Sequence, residues 1–593
     1  MSSYTDLRID VPTVLVAGQG ASRGQVLAAD VPLSLWGGVD PASGRVIDHH
    51  HPLHGESWNG RVLVIPQGRG SCTGSAVLLE AIHAGHAPAL IVLSQVDAII
   101  ALGAIVAEEV LGQSLPVIVL DAPGFAAAAG AQTAHFDGQC RLTLHTSVAA
   151  AHDYQTTATP AHSPAAKTLR LTPADRRCLA GANGAAARVA MRIIRRLAQL
   201  LGAPSLLDVS RVHIDACIYT GPAGLAFARQ LLHWGGAVAV PTTLNAISIG
   251  RNVSSQRAGA SQPRQPALGL ADMYQRLGAR PTFTCAPYHL QDPPQAGENI
   301  AWAESNAVVF ANSVLGARTD KTPDLLDACI ALTGRAPFAG YYRNDARRAR
   351  VLVHVPPLAR ADDALYPLLG YAVGTLAQNR VPAVVGLNRA PTVDDLKAFG
   401  AAFATTASAG LFHIPGVTAE AETLADALAG RAPEKQLYLT RADLRAAWQA
   451  FNADERADMR TAVDVVALGN PHFSTREFAV LAQLCAGRRK HDSVDITVTS
   501  SRHAVAAAEQ AGDLEHLHRF GVRVITDTCW CMLQSPTIAT TARTIVTNSA
   551  KYAHYGPGLV GRTVRFSSLV GCVRAAVDGY VTGGLPEWLQ QNV

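Results

Sequence analysis

The feature that most constrains this chain is a glycine-rich loop set between two apolar runs. Val62-Leu63-Val64-Ile65 reads as a buried strand, and Ala76-Val77-Leu78-Leu79-Glu80-Ala81-Ile82 suits a helix with a continuous apolar face. Between them lies Pro66-Gln67-Gly68-Arg69-Gly70-Ser71-Cys72-Thr73-Gly74-Ser75. Glycines at 68, 70 and 74 permit a tight turn and close backbone approach to a ligand. Ser71 then stands at a helix N-terminus, among unpaired N–H groups and the positive end of the dipole. That setting favours an anionic substrate group or a serine alkoxide. The alternative is a plain helix cap, the usual role of Ser or Thr ahead of a helix.

Short apolar runs, turns and helical stretches alternate along the rest of the chain, which predicts α/β architecture. At 593 residues the chain exceeds one ordinary core, so two to four domains are expected. Residues 1–148 read as a compact β/α domain with Ser71 at one rim. It includes strand Ala89–Leu93, helix Ala98–Leu111 and strand Val117–Leu120 in βαβ order. Gly18–Gly24 does not have dinucleotide-fingerprint spacing, and a strand follows it. Pro41-Ala42-Ser43-Gly44 reads as a turn. His49, His50, His51 and His54 read as a solvated turn, because three adjacent side chains cannot all converge on one ion.

Residues 149–168 are rich in Ala, Thr, His and Pro without a period, and read as an interdomain linker. Residues 169–593 form the second, larger part. It opens on Thr172-Pro173-Ala174-Asp175, a helix start with Pro at the first helical position. Ala185–Leu201 is helical. Strands are predicted at His213–Tyr219, Ala237–Pro241, Ala307–Phe310, Val351–His354, Ala383–Val385 and Asp464–Leu468, with helices at Pro323–Thr333 and Asp394–Ala401.

A net charge of +4 and 6% aromatic residues give no support for a nucleic-acid or membrane partner. The most apolar stretch, Ala87 to Val110, contains Gln95 and Asp97 and reads as strand, turn and helix, not a membrane span. Met1–Val11 carries no basic-then-apolar signal, and ten cysteines in so long a chain suit reduced thiols; a cytoplasmic protein is expected.

Several polar clusters follow strand-like runs, where α/β sheets place ligands. They include Pro281–Tyr288, Glu304-Ser305-Asn306 with Asn312-Ser313, Gly469–Ser474, Thr526–Cys531 and Thr547–Tyr555. Cys285 and Cys529 stand in polar, proline-bounded loops that suit thiolate ligation. Cys217, Cys329 and Cys572 lie in apolar runs and read as packing residues.

Taken in order, these segments resemble the aconitase X family of the aconitase superfamily, over nearly the whole chain. The small-domain signature is Trp36-Gly37-Gly38-Val39-Asp40-Pro41, His51-Pro52-Leu53 and Gly68-Arg69-Gly70-Ser71. The large-domain signature is Pro241-Thr242-Thr243-Leu244-Asn245, Thr284-Cys285, Glu304-Ser305-Asn306-Ala307 and Tyr366–Tyr371. It continues with Asp527-Thr528-Cys529 and Thr547-Asn548-Ser549-Ala550-Lys551. The resemblance implies a small swivelling domain joined by a linker to a large multi-lobed α/β domain that holds an iron–sulfur cluster.

The fused order resembles the bacterial type that dehydrates cis-3-hydroxy-L-proline; archaeal relatives keep two subunits and act on mevalonate 5-phosphate. By that analogy Ser71 is the general base, beside Arg69, and an open iron position acts as Lewis acid on the leaving hydroxide. Lys551, with Asn548 and Ser549 nearby, is the candidate for the substrate carboxylate, and Asn470 and His472 belong to the same substrate set. Where two-subunit relatives have a cysteine before Pro-His, this chain has Asn470 before Pro471-His472. Cys285 and Cys529 are then the first metal ligands, and Cys72 and Cys531 compete for the third place. A [2Fe-2S] cluster, which needs fewer protein thiolates, is favoured, with nuclearity open.

The expected partner is a small hydroxy acid or imino acid, and a homodimer stays open. The other readings are a phosphorylated or different hydroxy-acid substrate, a serine hydrolase built on Ser71, and an iron-sensing binding protein.

Overall fold

The computed structural model describes residues 4–157, 168–250, 264–358, 360–452, 459–535 and 537–590. Its contacts divide into two compact units. The first comprises Met1–Thr242, Arg276–Gly278 and Thr322–Ala339; the second comprises Thr243–Gln275, Ala279–Lys321 and Gly340–Val593.

The first unit begins with an eight-stranded sheet made of β1 (Tyr4–Asp10), β2 (Thr13–Val16), β3 (Ser22–Ala28), β4 (Val62–Val64), β5 (Leu90–Leu93), β6 (Val117–Val119), β7 (Thr133–Phe136) and β8 (Arg141–Ser147). Their order is β1-β8-β7-β3-β4-β5-β6-β2. From β3 to β6 the pairs are parallel, and those strands are fully buried from β4 to β6, as expected where both faces are covered. The β1, β8 and β7 pairs are antiparallel; in β8 Leu142 and Leu144 face the core and alternate with outward polar residues.

Helix α1 (Gly74–His83) follows the Ser71 loop, and α2 (Ala98–Val106) and α3 (Ala122–Ala129) are each capped by an aspartate, Asp97 and Asp121. The predicted linker starts differently. Val148–Thr157 is a helix, α4, that packs against β1 and β8 through Ala151 and Tyr154. Its sequence of Ala, His, Gln and Thr offers no readable apolar period. Residues 158–167 of that segment lie outside the described residues.

Beyond it, α5 (Pro173–Leu179) opens with the expected Thr172/Asp175 capping box. Helix α6 (Ala185–Leu200) packs against the helix Leu326–Thr333. Arg196 of α6 pairs with Glu108 at 2.7 Å and Glu109 at 3.0 Å, tying the small domain to the segment that follows it.

A second tie is made by Glu80 of α1. Helix α7 (Pro222–His233) has Gly221 at its N-cap, with no capping side chain of its own. Glu80 supplies one: its Oε2 accepts the Ala223 N–H at 2.8 Å. A Cβ on Gly221, at φ +151°, would lie 2.1 Å from the Glu80 carboxyl carbon, so glycine is required there. Burial pushes the Glu80 carboxyl above its usual range, against the pull of that N–H.

Two predicted strands are corrected. Ala237–Pro241 is irregular chain: its N–H groups go to Leu277 and Ala331 carbonyls, and the strand begins at Thr242. Ala307–Phe310 belongs to the helix Ser305–Phe310, started by the Glu304 side chain accepting the Asn306 N–H. All four residues are buried, so no period distinguished helix from strand. The strand predicted at His213–Tyr219 is shorter, Val212–Ile214, and the chain turns at Asp215.

The second unit contains two parallel sheets. The first is β9 (Val351–His354), β10 (Pro382–Val385) and β11 (Lys435–Tyr438), in the order β10-β9-β11. Helices α8 (Leu365–Ala377) and α9 (Val393–Thr406) pack closely against one another, with the Phe399 carbonyl 2.2 Å from where a Cβ on Gly370 would stand. The second sheet is β12 (Val465–Phe473), β13 (Asp495–Ser500), β14 (Val522–Thr526), β15 (Thr544–Thr547) and β16 (Thr563–Phe566). Its order is β14-β13-β12-β15-β16, parallel throughout. The order reverses between β12 and β15, and such switch points open a crevice at the carboxyl ends of the strands. Among the described residues no helix is long and apolar enough to cross a membrane.

Candidate functional site

Three sulfurs converge at that reversal. Cys529 and Cys531 follow the end of β14, Asn470 to Phe473 form the end of β12, and Cys285 comes from the loop before Tyr288. The Cys285 and Cys529 Sγ atoms are 3.9 Å apart. Asn470 Nδ2 donates to Cys529 Sγ at 3.2 Å and to Cys531 Sγ at 3.1 Å, and the His472 N–H points at Cys285 Sγ at 3.4 Å. All three cysteines are buried.

The backbone that carries Asn470 is tightly held. Gly469 has φ +92°, and a Cβ there would meet the Thr499 carbonyl oxygen at 2.1 Å. The Asn470–Pro471 peptide is cis. Trp530 Nε1 donates to the Leu468 carbonyl at 2.7 Å, locking β12 against the loop that bears Cys529 and Cys531.

His472 lies close enough to Cys285 and Cys529 to be considered a metal ligand, with the ligating atoms within 4.8 Å of one another. Its ring is otherwise engaged. Nε2 is 2.8 Å from the Thr528 carbonyl, which can only accept, so Nε2 carries the proton. Nδ1 then accepts from the Thr284 hydroxyl at 3.2 Å, and that hydroxyl accepts the Ala286 N–H. Burial holds His472 down at about 4, so the ring is neutral. His472 is thus a brace between the loop that carries Cys285 and the loop that carries Cys529. Sequence reasoning had put both His472 and Asn470 with the substrate; here their polar groups are committed to the protein and to the sulfurs.

The three-sulfur set fits an iron–sulfur group. Thiolates are its usual protein donors, and the N–H groups of Asn470 and His472 stabilise charge on sulfur. The Cys285 contact and burial push the Cys529 thiol well above its ordinary value; Cys529 and burial do the same to Cys531. A bound cation would displace those protons.

Lys551, in the first turn of α10 (Ala550–Val560), is buried and donates to Glu304 Oε1 at 2.9 Å. Burial alone would lower the ammonium; Glu304 and then the three thiols outweigh it and raise it well above its usual value. Glu304 is held low by the same pairing despite burial. Asn306 Nδ2 donates to Glu304 Oε1 and to the Cys285 carbonyl, and Tyr288 donates to Asn306 Oδ1 at 2.8 Å. Ser549 caps α10 through the Tyr552 N–H and reaches Asn470 Oδ1 at 3.4 Å, while Asn548 beside it is half-buried. Sequence reasoning noticed the Glu304-Ser305-Asn306 cluster but gave Glu304 no role. Its partner is 247 residues away, and only the fold reveals it.

The Ser71 loop belongs to the first unit. Ser71 is buried, and its Oγ lies 3.0 Å from Thr73 Oγ1 and accepts the Thr73 N–H at 3.3 Å. Ser71 is therefore not the cap of α1; Thr73 occupies that position and makes no capping bond. Arg69 donates to Asp48 Oδ2 at 2.6 Å and to the Pro32 carbonyl at 3.1 Å, so its guanidinium braces the loop. Cys72 is fully buried in this first unit. His49, His50 and His54 are exposed on a turn, as expected, while His51 is buried and its Nδ1 accepts the Leu53 N–H.

Family profiles match four segments in order: an aconitase X swivel domain over residues 12–141, and aconitase X first, second and third domains over 168–345, 349–449 and 463–578. The chain belongs to the aconitase X family. Within that family it is 53% identical over 584 residues to a cis-3-hydroxy-L-proline dehydratase of Pseudomonas aeruginosa, covering 98% of this chain and 99% of the relative. It is 49% identical over 577 residues to the enzyme of the same name from Hypocrea jecorina, covering 97% and 96%. The crystal structure of Thermococcus kodakaraensis aconitase X in its holo form superposes with a TM-score of 0.61 at 31% identity, covering 69% of this chain and all of that one.

Proposed function

We propose that this chain is a hydro-lyase that dehydrates cis-3-hydroxy-L-proline, yielding an enamine that tautomerises to Δ1-pyrroline-2-carboxylate. The observation that carries this reading is 53% identity spanning 98% of the chain and 99% of a relative named for that reaction. Cys285, Cys529 and Cys531 would hold an iron–sulfur cluster, with [2Fe-2S] favoured because the set offers three thiols and an amide where a fourth sulfur could stand. When bound, such a cluster supplies a Lewis acid for the departing hydroxide.

The chain's own residues do the rest. Ser71 takes the proton alpha to the carboxylate. Lys551, with Ser549 and Asn548 beside it, supplies positive charge and hydrogen bonds for the carboxylate, and Glu304 keeps the ammonium charged in its buried setting. The serine-hydrolase alternative lacks its second member: Ser71 Oγ hydrogen-bonds Thr73, and no imidazole bonds it among the described residues.

The test is turnover of anaerobically purified protein with cis-3-hydroxy-L-proline, beside the trans isomer and mevalonate 5-phosphate. Formation of the cyclic imine from the cis isomer alone is expected. Turnover of the phosphate instead would overturn the substrate assignment.

A further inference from the structure

A serine hydroxyl is a poor base unless its own proton has somewhere to go. Thr73 Oγ1 lies 3.0 Å from Asp215 Oδ2, and a carboxylate in that contact accepts, so the threonine proton points to Asp215. Thr73 Oγ1 is then the acceptor for the Ser71 proton at 3.0 Å, while the Ser71 oxygen accepts the Thr73 N–H. The three groups form a chain of fixed direction, from Ser71 O–H to Thr73 O–H to carboxylate. All three are buried, and Asp215 is fully so.

Two features set this chain apart from ordinary loop satisfaction. Thr73 stands at the N-cap of α1, where a threonine hydroxyl ordinarily accepts a helix N–H, yet it makes no such bond. Asp215 is in turn fixed by Asp327, whose Oδ2 accepts the N–H groups of Asp215 at 2.7 Å and Ala216 at 3.1 Å. Asp215, Asp324 and Asp327 are all fully buried, so the carboxylate that ends the chain is shielded from water.

We propose that Thr73 and Asp215 are a proton relay for Ser71; this rests on the reading of Ser71 as general base. As the substrate Cα–H bond breaks, its proton passes to Ser71 Oγ. The Ser71 proton passes to Thr73 Oγ1, and the Thr73 proton to Asp215 Oδ2. The C–H electron pair becomes the new double bond as hydroxide leaves. The proton held on Asp215 and that hydroxide together make up the water eliminated. Thr73 and Asp215 act through Ser71 and are positioning residues.

The experiment uses the holoenzyme with Ser71→Ala, Thr73→Val, Thr73→Ser and Asp215→Asn, each checked for bound iron and thermal midpoint. Thr73→Val and Asp215→Asn are expected to lower kcat by about 100-fold or more with KM nearly unchanged, and Thr73→Ser to restore most of it. Turnover in mixtures of light and heavy water should give a bowed proton inventory in the wild type and a straight one in Thr73→Val. Near-normal kcat in both Thr73→Val and Asp215→Asn, with Ser71→Ala inactive, would overturn the relay and leave the base standing. Activity retained in Ser71→Ala would overturn both. If either relay variant fails to fold, the wild-type inventory and Thr73→Ser decide: a straight inventory, or Thr73→Ser as inactive as Ser71→Ala, sinks the relay.

Discussion

The side-chain amide of Asn470 bridges two sulfurs, donating to Cys529 at 3.2 Å and Cys531 at 3.1 Å. It occupies the position where the sequence comparison with two-subunit relatives had led one to expect a thiol. Its Oδ1 faces Ser549, which fixes the amide so that nitrogen, not oxygen, meets the sulfurs. Asn470→Ala is expected to lower iron affinity by about 10-fold or more while leaving the three thiols in place. Iron titration of the apoprotein checks this, and unchanged affinity would remove Asn470 from the centre.

The ligand set makes a sharper prediction. Cys285→Ser, Cys529→Ser and Cys531→Ser should each lose iron and visible absorbance, whereas Cys72→Ser and Cys217→Ser should keep both. Iron retained at wild-type level in Cys531→Ser, with iron lost in Cys72→Ser, would reverse the choice of third sulfur.

The Lys551–Glu304 pair is a buried ion pair, so removing one partner strands the other. Glu304→Gln is expected to destabilise the protein by about 3 kcal/mol, on the scale of breaking a buried pair. Denaturant melts of the apoprotein would measure it. A loss below about 0.5 kcal/mol, the size of ordinary surface substitutions, would show that the pair carries no such load.

Acid stability should depend on His289. Burial first, and the Lys397 charge next, push this imidazole down to about 4, and its Nε2 has no hydrogen-bond partner among the described residues. A depressed imidazole stays neutral in the fold while the unfolded chain takes up a proton below about 6.5, so its contribution is present above that value and lost as pH falls toward 4. His472, also held at about 4, adds in the same direction. His289→Gln should therefore flatten the fall in urea midpoint between those two pH values; an unaltered slope would count against the assignment.

The α/β class was legible because apolar runs of strand length alternate with glycine-bearing turns, as at Val62–Ile65 and its loop. The approach of Cys285 to Cys529 could be anticipated because each stands in a polar loop outside any apolar run. The approach of Asn470 to both Cys529 and Cys531 could not, since adjacency to a motif carries no information about which side chains meet. The sequence assigned Thr73 no role, and Asp215 fell inside the predicted strand His213–Tyr219; only the fold brings their oxygens to 3.0 Å across 142 residues of chain. Ala307–Phe310 failed for a different reason, since a segment buried on every side shows no period of either kind.

The Glu80 carboxylate at the head of α7 bears on how the small domain can move. Helix α7 starts with a glycine and a proline, and neither offers a side chain to its first-turn amides. Lifting α1 away would bare those amides and leave the positive end of the α7 dipole without its counter-charge. Separating the two helices would therefore amount to releasing a latch, and dissolved anions that can take the carboxylate's seat would ease it.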